Sequence, residues 1–364
     1  MIDYSVYKMQ GLRTLAVALA LLVAGTALAA AEPESRAVAA HVADAYAQRY
    51  VFPARGAAAA ALLRANANAG AYDMLEGNAL AERLTADLRS VLHDQHAYVR
   101  YFPDILPPSS GNADKPTPQE LAEGRERERM IGYGVARAAV LPGNIGYLDL
   151  RAFTEPDPQT LAALEAAVTL VSGAEAVIVD VRRNGGGNSE TVAALAGHFL
   201  GPGVHVNDFV GRGDGDAAPV RERSFTPKRA GTRITAPLFV LTSKRTFSGA
   251  EEFAYDMQTQ KRATLIGETT GGGANPGEFV RVDDHFRAFV SDGRARNPIT
   301  GTNWEGTGVR PDVEVASDQA LVTAYRRGLG VAASDPALSP AGKRFVEMQV
   351  EHAQALTEAQ LLGT

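Results

Sequence analysis

Ser248 sits where residue types and spacing first point to chemistry. An apolar run, Leu238-Phe239-Val240-Leu241, breaks at the turn Thr242–Phe247, and a helical pattern resumes with Ala250, Phe253, Ala254 and Met257. A serine there reads in two ways. Its hydroxyl caps the helix by accepting a backbone N–H. Alternatively it is a nucleophile on a sharp strand-to-helix turn, beside a helix N-terminus that favours negative charge. A second stretch, Asn184-Gly185-Gly186-Gly187, closely follows the apolar run Ala176–Val181. It lacks the Lys-Ser ending of a P-loop and the spacing of a dinucleotide fingerprint. Glycines let a ligand approach backbone N–H groups closely, and such groups aimed at a developing oxyanion serve acyl transfer. A tight turn with no chemistry is the plainer reading. His96, in His93-Asp94-Gln95-His96, stands at the mouth of an alternating, aromatic-rich strand, Ala97–Phe102. Glu305 lies among turn residues beside the single tryptophan, Trp304. It is either solvated or a buried carboxylate that orients a base, and spacing alone does not choose. His285 is a rival base in strand-like sequence. His93 and His96 are three apart, but no third metal ligand is evident.

These residues need elements to carry them. Val38, Val42 and Ala45, then Leu80, Leu84 and Leu88, recur at helical spacing and predict a helical bundle over 34–92. Pro103–Pro118 reads as a loop or linker. Gly134–Val140 and Ile145–Leu150 are strand candidates, Asp157-Pro158 is a helix start, and Leu161, Leu164, Val168 and Val171 form its stripe. Ala176–Val181 has the continuous apolar character of a strand covered on both faces. A helix with stripe Val192, Leu195 and Phe199 follows, then a polar excursion over 207–235, the Ser248 unit and a strand at Ala263–Ile266. This alternation predicts an α/β fold with a βαβ core and right-handed crossovers. Arg281–Val290 alternates like a strand, and Leu338–Leu362 is expected to be helical from Ser339-Pro340 onward. The expected organisation is 1–31 signal peptide, 32–103 helical bundle ending in the His96 strand, 104–131 linker, 132–335 core and 336–364 C-terminal helical segment.

Composition narrows the class. The 364 residues carry a net charge of −6, without the basic excess of nucleic-acid binders. Cysteine is absent, so disulfides, thiolate metal sites and a cysteine nucleophile are excluded together. Arg13, the short apolar stretch Leu15–Ala24 and Ala27-Leu28-Ala29 match a secretory signal and its cleavage site. An uncleaved anchor is the competing reading, and Met9 is an alternative start.

Taken together, the motifs resemble the C-terminal processing peptidase family, which includes tail-specific proteases, the tricorn protease and interphotoreceptor retinoid-binding protein. The matching stretches are Val177–Gly187, Leu241–Phe253, Ile266–Gly273 and Trp304–Asp312. Asp94-x-His96 and Ile145–Phe153 fit the tricorn-like, retinoid-binding-like branch without a PDZ domain. The resemblance implies a crotonase-like core and a serine peptidase with Ser248 as nucleophile, His96 as base and Glu305 as orienting carboxylate. The N–H of Gly249, with one from Gly185 or Gly186, would form the oxyanion hole. Gln95, which could bridge His96 to Glu305, and Asp94 would lie behind the histidine. Tail-specific members carry a lysine 25 residues after the serine, and that position is Gly273 here. The implied function is an exported, periplasmic or secreted peptidase acting on peptides or proteins, with no cofactor, metal or nucleic acid. The alternative is a non-proteolytic carrier of retinoid or fatty-acid-like ligands on the same fold.

Overall fold

The computed structural model describes residues 34–106, 117–213, 218–229 and 231–363. The expected signal peptide and part of the expected linker lie outside them. Three helices lead: α1 (Glu34–Arg49), α2 (Pro53–Asn68) and α3 (Gly77–Leu92). Then come β1 (Tyr98–Tyr101), α4 (Pro118–Met130), β2 (Val135–Leu141), β3 (Ile145–Leu150), α5 (Pro158–Leu170), β4 (Ala176–Asp180) and α6 (Ser189–Leu200). The chain continues through β5 (His205–Val210), β6 (Val220–Phe225), β7 (Leu238–Thr242), α7 (Gly249–Thr259) and β8 (Ala263–Gly267). It ends with β9 (Gly277–Arg281), β10 (Phe286–Ser291), β11 (Arg294–Arg296), β12 (Val313–Glu314), α8 (Ser317–Ala333), α9 (Pro340–Ala353) and α10 (Glu358–Leu362).

The fold is mixed α/β around a six-stranded sheet of order β12-β8-β7-β4-β3-β2. All its pairings are parallel except β2 with β3. Every residue of β3, β4 and β7 is buried, because helices cover both faces. Val177 and Val179 turn toward Leu164, Val192, Phe199 and Phe253 of α5–α7. Ala176 and Ile178 turn toward Leu321, Tyr325 and Leu329 of α8. Burying each such large side chain contributes about 1.5–3 kcal/mol.

The N-terminal helices pack against the sheet β1-β10-β9, whose Val99, Ala288 and Val290 join Val38, Leu63 and Leu84 in one core. Two of these strands come from nearly 200 residues downstream. The antiparallel register Tyr98↔Phe289 therefore ties the His96 segment to the C-terminal half of the chain. A third sheet, β11-β5-β6, occupies part of the region expected to be a polar excursion. Two helices depart from the sequence pattern. Within the expected linker, α4 is capped by Thr117, whose hydroxyl accepts from Glu120 N–H (3.1 Å) while the Glu120 carboxylate accepts from Thr117 N–H (2.8 Å). None of its residues is buried, so it shows no apolar stripe. Helix α8 is buried along one face, but Gly328 and Gly330 weaken its signal in the sequence.

Candidate active site

The strand β7 delivers Ser248 at the top of the sheet, one residue before α7. Its backbone adopts φ 53°, ψ −124°. An ordinary N-cap sits in the β region, so this serine is held in a sparsely populated conformation that costs about 1–3 kcal/mol. The surroundings enforce it. Ser248 N–H donates to Glu251 Oε2 (2.9 Å), and its carbonyl accepts from Glu251 and Glu252 N–H (2.8 and 3.0 Å). Phe247 N–H donates to the Asn184 carbonyl (3.1 Å), Thr246 Oγ1 to the Val181 carbonyl (2.9 Å) and Ser243 Oγ to the Arg182 carbonyl (2.6 Å). The turn before the serine is thus stitched to the segment running into the first glycine loop.

That loop comes close enough to require glycine. Gly186 has φ +100°, and a Cβ on it would lie 2.7 Å from both Gly249 N and Ser248 Cβ. The three candidate oxyanion donors are not equivalent. Gly186 N–H donates to Asn184 Oδ1 (2.8 Å) and is therefore occupied. The loop and cap hydrogen bonds of this region do not consume the N–H groups of Gly249 and Gly185.

Glu251 was not singled out from the sequence, although Ser248-Gly249-Ala250-Glu251 has the spacing of a capping box. Its carboxylate is fully buried and receives Thr270 Oγ1, Gly272 N–H (2.7 Å) and Gly273 N–H (2.8 Å) besides Ser248 N–H. Burial raises its pKa, and these donors oppose the rise. One side chain thereby fixes the serine turn against the second glycine loop.

His96 rests on Phe247, the residue before Ser248, with ring centroids 4.5 Å apart, and stacks on Phe289 at 5.9 Å. Gly273 makes room for it: a Cβ there would lie 2.2 Å from Phe247 Cζ and 2.7 Å from His96 Cε1. Burial lowers the pKa of His96 and favours the neutral ring, while Asp94 acts in the opposite direction. No hydrogen bond joins its ring to the Ser248 hydroxyl among the described residues. Catalytic contacts are often long before substrate binds.

Glu305 arrives on a loop zipped to the same glycines. Trp304 Nε1 donates to the Gly273 carbonyl (2.8 Å), Gly306 N–H to the Gly272 carbonyl (2.9 Å) and Ala274 N–H to Glu305 Oε2 (2.6 Å). Glu305 Oε1 and His96 Nδ1 are both buried without a hydrogen-bond partner. Atoms of Asp94, His96 and Glu305 lie within 4.8 Å of one another, close enough to share a metal ion as well as a proton. Burial, followed by the charge of Asp94, pushes the Glu305 carboxyl up to about 8.

Asp94 is 1 % exposed and accepts from Tyr50 (3.2 Å), Ser291 (2.7 Å) and the His96 backbone N–H (2.8 Å). Its Oδ1 is 4.0 Å from His96 Nδ1. Gln95 does not make the expected bridge. It is exposed, its carbonyl holds Arg89 (2.7 Å), and its amide bonds neither His96 nor Glu305. The local turn points its side chain outward and leaves Asp94 beside the ring. His285 is held through Nδ1 to the Phe102 carbonyl (3.0 Å), and His93 is the exposed C-cap of α3.

Comparison with known proteins agrees with this architecture. Residues 144–315 match the peptidase family S41 model, and residues 18–135 match the N-terminal domain of peptidase S41 in eukaryotic IRBP. The chain is thus similar to peptidase family S41 over most of residues 18–315. It is 26% identical over 219 residues to a carboxy-terminal-processing protease of Bartonella bacilliformis, covering 58% of this chain and 46% of that one. It is 30% identical over 192 residues to the chloroplastic C-terminal processing peptidase of Tetradesmus obliquus, covering 50% of this chain and 38% of that one. The match thus spans less than half the length of either relative. Among solved structures, a lipoprotein from Streptococcus agalactiae superposes with a TM-score of 0.53 at 13% identity, covering 80% of this chain and 94% of that one, and shares the fold.

Proposed function

We propose that the protein is a serine-type peptidase that hydrolyses peptide bonds through an acyl-enzyme. Ser248 Oγ attacks the scissile carbonyl while neutral His96 takes its proton, because an unassisted hydroxyl is a weak nucleophile. His96 then returns the proton to the leaving amine. Glu305 holds the ring through Nδ1 and stabilises its cation. The N–H groups of Gly249 and Gly185 receive the oxyanion, and losing one such donor costs about 3 kcal/mol in barrier. The observation that carries this reading is the pair of unpartnered buried atoms, His96 Nδ1 and Glu305 Oε1, grouped beside the strained Ser248 turn.

The finer assignments belong to the same proposal. The parallel βαβ sheet supports a crotonase-like core. Gly273, where tail-specific members carry lysine, yields its space to His96, which supports the tricorn-like branch. The Arg13–Ala29 pattern supports export to the periplasm or the medium. Among the described residues no helix is long and apolar enough to cross a membrane.

A fluorophosphonate probe tests the assignment. Wild type should be labelled on Ser248 and should cleave unfolded protein substrates, whereas folded Ser248→Ala should do neither. Peptide hydrolysis retained by Ser248→Ala would refute it.

A further inference from the structure

The sheet β1-β10-β9 has a second face that the catalytic reading does not use. Its inner face, with Val99, Ala288 and Val280, packs on the N-terminal helices. Side chains alternate along a strand, so the outer face carries the residues between these. Tyr98, Phe289 and Phe279 stand directly opposite one another in register. Tyr98 and Phe289 are parallel at 5.6 Å, and Phe279 meets both edge-on at 5.7 and 5.3 Å. The next row on this face is Arg100, Arg287 and Arg281. Arg287 pairs with Glu120 (3.2 Å) and Arg281 with Asp284 (2.6 Å).

This aromatic row begins at the catalytic centre, because Phe289 stacks on His96. It ends in a cleft of about 730 Å³ whose lining includes Phe279, Phe102 and Leu121 of α4 among mostly charged side chains. Helix α4 buries none of its own residues and is tied across the cleft by Glu120 to Arg287 and by Glu128 Oε1 to Glu155 N–H (3.2 Å). Cross-strand aromatic pairs do stabilise sheets. A face turned simply to water, however, is usually polar, and all three of these rings are half-buried.

We propose that the Tyr98–Phe289–Phe279 row is the specificity surface of the enzyme and seats a large apolar side chain of the peptide, aromatic or leucine-like, next to the scissile bond. The peptide continues into the cleft beneath α4. The arginine row, in which Arg287 and Arg281 are paired with Glu120 and Asp284, bounds the apolar strip. This inference rests on the peptidase reading for its substrate class, but binding can be measured apart from turnover.

The test uses one fluorogenic peptide series differing only in the side chains that flank the scissile bond: Phe, Leu, Ala or Asp. Wild type should favour Phe and Leu over Ala by tenfold or more in kcat/KM, in the range expected of a hydrophobic pocket. Phe279→Ala should lose about tenfold on the Phe peptide and less than about threefold on the Ala peptide. Phe279→Thr, which suits a strand, serves in its place if alanine weakens the sheet. In parallel, fluorescence anisotropy of labelled peptides with Ser248→Ala, and with Ser248→Ala combined with Phe279→Ala or Phe279→Thr, reads affinity without hydrolysis. Apolar-selective binding that the second substitution abolishes supports the surface even if wild type cleaves nothing, in which case only the peptidase reading falls. Equal affinity for Phe and Ala peptides, no binding, or a preference indifferent to residue 279 overturns the proposal.

Discussion

The acid cluster beside His96 should govern the pH dependence of hydrolysis. Glu305 is pushed up to about 8, first by burial and then by Asp94. Burial lowers His96 as well. At neutral pH the free site therefore holds a neutral ring and a protonated Glu305. The competent form, neutral His96 beside ionised Glu305, has one proton fewer. It makes up about half of the enzyme at pH 8, a tenth at pH 7 and a hundredth at pH 6. Consequently kcat/KM should climb nearly tenfold per pH unit from 6 to 7.5 and level off above about 8.5. Asp94→Asn should move the midpoint down. Two unit charges within 4.8 Å repel by about 3 kcal/mol at an effective dielectric of 20. Because 1.36 kcal/mol equals one pH unit, a shift of roughly one unit survives generous screening. The assay is initial-rate kcat/KM with a fluorogenic peptide from pH 5.5 to 9.5 at constant ionic strength, on wild type and Asp94→Asn. A wild-type profile already flat between pH 7 and 8 would mean that Glu305 is ionised throughout, and the account of the cluster would be wrong. A midpoint that does not fall in Asp94→Asn would remove Asp94 from it.

Three further outcomes follow from other contacts. Gly186→Ala puts a methyl 2.7 Å from Gly249 N and Ser248 Cβ at φ +100°, so it should cost about 1–3 kcal/mol in a denaturant melt and abolish fluorophosphonate labelling. Full labelling would show that the loop is not pressed against the serine turn. Burial pushes Glu252 up to about 7 from an ordinary 4.5. The stability linked to this raised pKa is complete below about pH 4.5 and lost as pH rises through about 7, by up to about 3 kcal/mol. Glu252→Gln should flatten that segment of the stability–pH curve, and an unchanged curve would count against the shift. Finally, EDTA should leave peptide hydrolysis intact. Loss of activity that Zn²⁺ restores would mean that Asp94, His96 and Glu305 hold a metal rather than share a proton.

Much of the fold was legible because the signals were local. Asp157 caps α5 by accepting from Thr160 N–H (2.7 Å), Ser339 caps α9, and Gly201 ends α6 with φ +99°, all at positions marked by residue type. The apolar runs of β4 and β7 announced strands covered on both faces. Helix α4 was hidden because it buries nothing, so no periodicity marks it. The strands β5 and β6 were hidden because their pattern is broken by Asn207, Asp208 and the charged run Arg221-Glu222-Arg223. Asp94 was visible in the sequence, but its standing beside His96 rather than Gln95 depends on the Tyr50 and Ser291 hydroxyls, which meet it across 44 and 197 positions.

By itself the sequence determined the inventory: a serine at a strand-to-helix junction, glycines where the backbone must crowd, and a histidine and a glutamate on turns far from it. Residue type and short-range spacing carry that information, since caps, turns and periodicities act over a few positions. Tertiary structure alone decided the conformation of Ser248, the commitment of Gly186 N–H to Asn184, and the meeting of His96 with Glu305. Each depends on partners brought in by strand pairing and loop zipping, such as Tyr98 with Phe289 and Trp304 with Gly273, at sequence separations that no local pattern records.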